Sequence, residues 1–188
     1  DLAAQSERTT PTEISRFLSA FLDRAHEIVR QSEDTGLKID AIVVATGSSG
    51  TQAGLVAGLE GVNSGIDVIG VSVRQPKDRQ EEAVYALASE TARQIGVQGG
   101  VARERIVADD GYVGPGYGQS TPEMIEAIEM TARHEGILLD PVYSGKGMAG
   151  LIGLIRAGRF SKDQTVVFLH TGGSAALFAY QDILVPAA

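Results

Sequence analysis

IVVATGSSGTQAGLVAG, residues 42–58, is an apolar run that breaks into glycine and hydroxyl residues and then resumes its apolar spacing. Residues 41–45 have the continuous hydrophobicity of a strand buried on both faces, and residues 52–59 read as a short helix. Between them stand Thr46, Gly47, Ser48, Ser49, Gly50 and Thr51. A helix start presents unpaired backbone N–H groups and a partial positive charge, and glycine lets that backbone close on an anion. The hydroxyls of Thr46, Ser48, Ser49 and Thr51 add donors, so the pattern favours a phosphate. No Lys-Ser/Thr pair follows, which excludes a Walker A loop. Gly47, Gly50 and Gly54 give G-x-x-G-x-x-x-G, which is not the dinucleotide fingerprint. The loop carries no basic side chain, so binding would rest on dipole and hydrogen bonds. A tight strand-to-helix turn without a ligand is the other reading the loop leaves open.

The alternation continues in both directions. A helix is predicted over 13–31, capped by Thr12, with an apolar stripe of Ile14, Phe17, Leu18, Phe21, Leu22, Ala25 and Ile28. Further strands are predicted at 66–73, 105–108 and 165–170, and helices at 79–95, 121–134 and 145–157. Residues 137–139 read as a brief extended piece and 173–180 as a last helical turn or two. Thr121 followed by Pro122 is a helix-start signal. This order predicts an α/β fold: a three-layer α/β/α arrangement around a parallel sheet. Residues 1–38 form an N-terminal extension and helix, and residues 39–188 the α/β domain. Glycine-rich loops at 46–50, 111–118 and 171–173 fall where such sheets bind ligands.

Composition narrows the partners. The chain has 188 residues, 43% of them hydrophobic, enough for a sizeable core. It has no cysteine, which rules out disulfides and thiolate metal sites. A net charge of −8 disfavours nucleic acid or an anionic membrane as main partner. No apolar run approaches the ~18 residues of a membrane span. The start lacks a basic segment and an initiator Met, so the sequence reads as a fragment or processed product, expected in the cytoplasm. His26, His134 and His170 are far apart, and no metal site is expected. No G-x-S-x-G elbow marks a serine hydrolase.

Three further stretches carry chemistry. EGILLDPVYSGKGMAGL, residues 135–151, sets Tyr143 and Ser144 at the entry of a glycine-rich helix. A tyrosine there can hold a proton in a cleft, or it is a half-buried aromatic with a wet tip. Lys146 reads as a solvated lysine capping the loop rather than an anion ligand or a Schiff-base lysine. VVFLHTGGSAALFAY, residues 166–180, ends a strand at His170, Thr171 and a Gly-Gly turn. His170 is expected to bond the backbone. GYVGPGYGQSTPEM, residues 111–124, places Tyr112 and Tyr117 in a loop before a capped helix.

Together with ATGSSGTQAGL, residues 45–55, and the helix that extends the 135–151 stretch to Phe160, these segments resemble a known family. They are similar, in collinear order over residues 40–182, to the C-terminal half of the pyridoxal-phosphate enzymes of the D-cysteine desulfhydrase and 1-aminocyclopropane-1-carboxylate (ACC) deaminase group. L-cysteate sulfo-lyases belong to the same group. The resemblance implies the tryptophan-synthase-β-like fold called fold type II, with pyridoxal 5'-phosphate as cofactor. It implies that Thr46, Gly47, Ser48, Ser49, Gly50 and Thr51 hold the cofactor phosphate and that Thr171 sits near the pyridine nitrogen. A hydroxyl there leaves that nitrogen neutral, where a carboxylate would keep it protonated. It also implies that Tyr143 takes part in proton transfer, that Tyr117 faces the active site, and that Ser144 stands where the deaminase branch carries a glutamate.

The implied reaction is β-elimination on a small amino acid, cysteine or cysteate, yielding pyruvate, ammonia and sulfide or sulfite. The stretch GVSVRQPKDRQEEAVYALA, residues 70–88, leans towards the sulfo-lyase branch. An ACC deaminase-like enzyme is the alternative within the group; a non-catalytic phosphate-binding fragment or a nucleotide-binding module are those outside it. The family dimerises, so a homodimer is expected. Its Schiff-base lysine belongs to the N-terminal half, and none of Lys38, Lys77, Lys146 or Lys162 matches that motif. The chain alone is therefore expected to be inactive.

Overall fold

Ala41–Thr46 forms β1, and every residue of it is buried. That is what an uninterrupted Ala-Ile-Val-Val-Ala run dictates: both faces need apolar cover. In this computed structural model, which describes residues 11–184 and their side chains from residue 23 on, β1 is the second-last strand of a four-stranded sheet. The strands are β1, β2 (Asp67–Ser72), β3 (Val107–Asp109) and β4 (Val166–Leu169), in the order β3-β2-β1-β4. All three pairings are parallel, with Ala41 opposite both Asp67 and Val166, and Ile69 opposite Val107.

Parallel neighbours need crossover connections, and helices supply them. The chain runs α1 (Pro11–Thr35), β1, α2 (Gly50–Gly61), β2, α3 (Lys77–Gln94), β3, α4 (Pro122–Glu135), α5 (Ser144–Arg156), β4, and ends in α6 (Gln181–Leu184). On one face Ile42, Val44 and Val68 pack with Ala53, Leu55 and Leu59 of α2, Val84 and Ala88 of α3, and Ala25 of α1. On the other face Val43, Ile69 and Val71 pack with Leu151 of α5. Each fully buried aliphatic side chain stabilises by about 1.5–3 kcal/mol. The result is the expected three-layer α/β/α fold. All strands point the same way, so the loops after β1, β2, β3 and β4 open at one rim.

Local signals behave as physics asks. Thr121 Oγ1 accepts from the Met124 N–H at 3.2 Å, with Pro122 opening α4. Gly36, at φ +68°, ends α1 just after Thr35, four residues beyond the predicted end. The predicted stripe from Ile14 to Leu22 lies outside the described side chains, and residues 1–10 lie outside the described chain.

Three segments take their form from their neighbours. Residues 137–139, read as a brief extended piece, join no sheet: Ile137 and Leu138 are exposed, and Leu139 packs on Met124 and Ile128 of α4. The Leu138 carbonyl is met by the His170 ring at 3.2 Å, so a side chain takes the place of a ladder. β4 is part-exposed throughout, because it pairs with β1 alone and forms the sheet edge. The last segment is a 3-10 helix over Ser174–Tyr180 leading into α6. Among the described residues no helix is long and apolar enough to cross a membrane.

Candidate active site

β1 ends at Thr46, and the chain turns through Ser49 at φ 69° and ψ −21° into α2. The Ser49 hydroxyl does not cap the helix. Ala53 is the first residue of α2 whose N–H is paired, with the Ser49 carbonyl at 2.9 Å. Among the described residues the N–H groups of Gly47 to Gln52 find no protein acceptor. Donors left open in this way call for an anion or water. Gly47, Ser48, Ser49 and Thr51 of this run line a cavity of about 90 Å³, together with Ala45, Thr46, Tyr143 and Thr171.

Gln80 underpins this cup. It is fully buried on α3, and its Nε2 donates to Thr46 Oγ1 at 3.1 Å and to Ser49 Oγ at 2.9 Å. An amide N–H that occupies a lone pair on each hydroxyl leaves both hydroxyl hydrogens free to point at a ligand. The Gln80 Oε1 has no partner. Sequence analysis did not single out Gln80. The signal was present: it occupies a helix stripe otherwise completed by Val84, Ala88, Thr91 and Ala92, where a polar residue needs a reason.

Tyr143 forms the opposite wall. Gly47 lets it approach: a Cβ at position 47 would stand 3.1 Å from Tyr143 Cε1 and 3.3 Å from its hydroxyl. Tyr143 is set by Asp140, the other residue sequence analysis passed over. The buried Asp140 carboxylate accepts the N–H groups of Val142, Tyr143 and Ser144 at 2.9, 2.8 and 2.8 Å. An aspartate just ahead of a glycine-rich helix is a recognisable capping signal, and its charge suits the positive end of α5.

Ser144 reaches neither cavity. It is 1% exposed, its hydroxyl donates to Asp140 Oδ1 at 2.6 Å, and its Oγ accepts the Asp140 N–H at 2.7 Å. Gly50 opens the first turn of α2, buried and with its N–H unpaired, and is not among the residues that line the cup.

A wider cleft of about 430 Å³ adjoins the cup, lined by Tyr117, Asp140, Val142, Tyr143, Thr171, Gly172, Gly173 and Ala176. Tyr143 and Thr171 line both spaces. The phenol oxygens of Tyr117 and Tyr143 lie 3.2 Å apart, and their rings meet edge to face at 5.9 Å. Burial, and then the hydrogen bond between the two phenols, push the Tyr143 phenol up to about 12. Tyr143 therefore carries its proton at neutral pH. Thr171 makes no side-chain hydrogen bond among the described residues, and its turn is held by His170, whose Nδ1 accepts the Gly172 N–H at 3.1 Å. That leaves the His170 Nε2 as the donor to Leu138 and accords with a backbone-bonded histidine.

Lys146 is corrected. It is fully buried, not solvated, and its Nζ donates to the carbonyls of Val113 at 2.6 Å and Gly116 at 3.0 Å. It thus ties the loop that bears Tyr117 to α5. Burial lowers its pKa. None of the four lysines lines the cup or the cleft. Tyr112 packs in the core beside Leu151 rather than in the cleft.

Comparison with known proteins follows the same outline. A family profile described as pyridoxal-phosphate dependent enzyme matches residues 16–172. The D-cysteine desulfhydrases of Salmonella typhi and Klebsiella pneumoniae are each 43% identical over 160 residues, 85% of this chain and 48% of theirs. The chain thus spans about half the length of the curated relatives it matches. A solved ACC deaminase homologue superposes with a TM-score of 0.81 at 35% identity, covering 93% of this chain and 51% of the other. The processed form of threonine deaminase isoform 2 from Solanum lycopersicum shares the fold, at 13% identity and a TM-score of 0.55 over 90% of this chain and 50% of the other.

Proposed function

From the premise that this chain belongs to the pyridoxal-phosphate dependent enzyme family, we propose that it builds the phosphate-binding side of a carbon–sulfur lyase. The reaction is β-elimination: cysteine or cysteate, with water, gives pyruvate, ammonia and sulfide or sulfite. The observation that carries this reading is the shared wall. Tyr143 and Thr171 line both the donor-rich cup and the cleft beside it.

The residues present fit the cofactor. The open N–H groups from Gly47 to Gln52 and the hydroxyls of Thr46, Ser48, Ser49 and Thr51 would hold its phosphate, and Thr171 its ring side. When bound, pyridoxal phosphate supplies an electron-withdrawing ring that stabilises negative charge at the substrate Cα. The chain's own part is to bind and to handle protons. The cup fixes one end by dipole and hydrogen bonds. Tyr143 holds a proton at its phenol oxygen, with Tyr117 hydrogen-bonded behind it, available to the departing sulfur. Asp140 and the His170 turn keep Tyr143 and Thr171 in place.

With no lysine lining either cavity, this chain by itself binds the cofactor reversibly. Borohydride reduction of the chain mixed with pyridoxal phosphate should leave no stoichiometric lysine adduct. The working enzyme is read as a homodimer acting on a small amino acid in the cytoplasm.

The identity to the D-cysteine desulfhydrases supports a lyase, and the likeness to an ACC deaminase homologue supports a second reading, a deaminase. At position 144 the hydroxyl is fully engaged by Asp140, which leaves no free acid there and favours the lyase. The test is a product assay on the intact enzyme with D-cysteine, L-cysteine, L-cysteate and ACC. Pyruvate with equimolar sulfide or sulfite supports the proposal. 2-Oxobutanoate from ACC alone would replace it with the deaminase.

A further inference from the structure

The stretch of residues 166–180 ends in Tyr180, whose phenol donates to the Gly118 carbonyl at 2.7 Å from 62 positions away. The two carbonyls that flank Tyr117 are therefore both taken: Gly116 by Lys146 Nζ at 3.0 Å and Gly118 by Tyr180. The two holders stand on different ground. Lys146 is fully buried on α5. Tyr180 belongs to the segment 174–184, in which no residue is fully buried and Phe178 is 86% exposed. Leu177 and Leu184 rest on the cluster of Met124, Ile128 and Leu139. Among the described residues, the bond to Gly118 is the one hydrogen bond that ties this segment to the fold beyond its own glycine entry.

The segment has a hinge and little internal hold. Gly172 and Gly173, at φ 95° and 97°, lead into it with backbone that favours glycine. Its 3-10 helix runs for seven residues, where about three or four are usual because i→i+3 bonds are poorly aligned. It also forms part of the cleft, through Ala176, while the glycine entry and Thr171 line the same side. Tyr117 lines the cleft from the other loop. The bond from Tyr180 to Gly118 thus joins the two walls next to the residue whose phenol meets Tyr143.

We infer that Tyr180 is a positioning residue: it clamps the segment 174–184 to the loop of Tyr117, and the closed clamp holds the Tyr117 phenol against Tyr143. This rests on the lyase reading above, in which Tyr143 holds a proton for the departing sulfur. Tyr180 acts through Tyr117 and touches no reacting atom. It fixes Gly118 from the segment as Lys146 fixes Gly116 from α5, so Tyr117 has one setting, with its oxygen 3.2 Å from that of Tyr143. With the bond broken, the segment swings at Gly172 and Gly173, and the cleft widens for an amino acid to enter or a product to leave. With the bond re-formed, water is shut out and both carbonyls beside Tyr117 are held again.

Two measurements test this. In the intact enzyme, kcat/KM for the amino acid that the product assay identifies is compared across the wild type, Tyr180→Phe, Tyr117→Phe and the double variant. Tyr180→Phe keeps the ring and removes the donor, and should lower kcat/KM about 3- to 10-fold, the scale of one hydrogen bond. In the Tyr117→Phe background the same change should cost less than about twofold, because the phenol it positions is already gone. Equal losses in both backgrounds would make Tyr180 a structural residue and overturn the proposal, as would no loss in either. The second measurement is amide hydrogen exchange on this full chain, without turnover. Amides of 174–184 should exchange about 3- to 10-fold faster in Tyr180→Phe, while those of α4 and α5 keep their wild-type rates. A rise throughout the chain would mean a general loss of stability and overturn the clamp; so would an unchanged segment. Should no amino acid be turned over, the lyase reading fails, and the exchange pattern still decides whether Tyr180 holds the segment.

Discussion

Gly47 and Tyr143, distant in sequence, meet across the mouth of the donor-rich cup: a Cβ on Gly47 would lie 3.1 Å from the tyrosine ring. The proposed anion site and the Tyr143 phenol are thus one structure, in which the size of one residue sets the position of the other. The Gly47→Ala variant should push Tyr143 or Val73 aside. Overpacking of this kind costs about 1–3 kcal/mol. Pyridoxal-phosphate affinity should fall about 10-fold or more, measured by fluorescence titration, and an unchanged affinity would show that the two walls are not coupled.

Removing the phenol oxygen tests chemistry rather than shape. Tyr143→Phe keeps the ring on Gly47 and should lower turnover in the intact enzyme about 100-fold, as general acid–base losses typically do, with little change in substrate saturation. A phenol pushed up to about 12 binds its proton in the folded state where the unfolded chain, at its usual 10.0, has lost it. Stability should therefore fall as pH rises from about 10 to about 12, and this fall should be shallower in Tyr143→Phe. Denaturant unfolding across that range, with phenolate absorbance alongside, measures both.

A Gln80 variant tests the proposed phosphate site separately from the ring side. Gln80→Leu keeps the volume and removes the donor to Thr46 and Ser49. Each such bond contributes about 0.5–1.5 kcal/mol. Affinity for pyridoxal phosphate should drop about 10-fold while affinity for pyridoxal, which lacks the phosphate, stays the same. An equal drop for both would make Gln80 a packing residue.

Lys146 carries the loop of Tyr117. Lys146→Met strands the carbonyls of Val113 and Gly116, at about 1–3 kcal/mol for a buried group left unpaired. The midpoint of thermal unfolding should fall by several degrees, at about 2–4 °C per kcal/mol for a chain of this size. Burial lowers the Lys146 pKa from its ordinary 10.5, so the unfolded chain binds this proton more readily than the folded one. Stability should rise as pH climbs through the lowered value towards 10.5, and that component should vanish in Lys146→Met.

The fold was largely legible because its signals are local. The apolar run at β1, the Thr121-Pro122 start of α4 and the glycine stop of α1 each act through their own backbone. The loop from Thr46 to Thr51 was legible for the same reason: open N–H groups at a strand-to-helix turn are a property of the turn. Less legible was anything set by partners far along the chain. Lys146 looks like a surface lysine until the carbonyls of Val113 and Gly116 arrive over it from 33 and 30 residues away. Ser144 looks like a hydroxyl for catalysis until Asp140 claims both of its bonds. Residues 137–139 have the composition of a strand but no neighbour to pair with, and the place of β4 at the sheet edge is set by the topology rather than by its own residues.

The tether from Lys146 has a mechanical consequence. Tyr143 immediately precedes α5, and the segment leading to Tyr117 hangs from a lysine on that helix. Any tilt of α5 during a catalytic cycle would carry both phenols as passengers on a single rod. The relay between them would keep its spacing while its distance from the α2 cradle changed, so that opening and closing could be governed by helix motion without the proton pair ever coming apart.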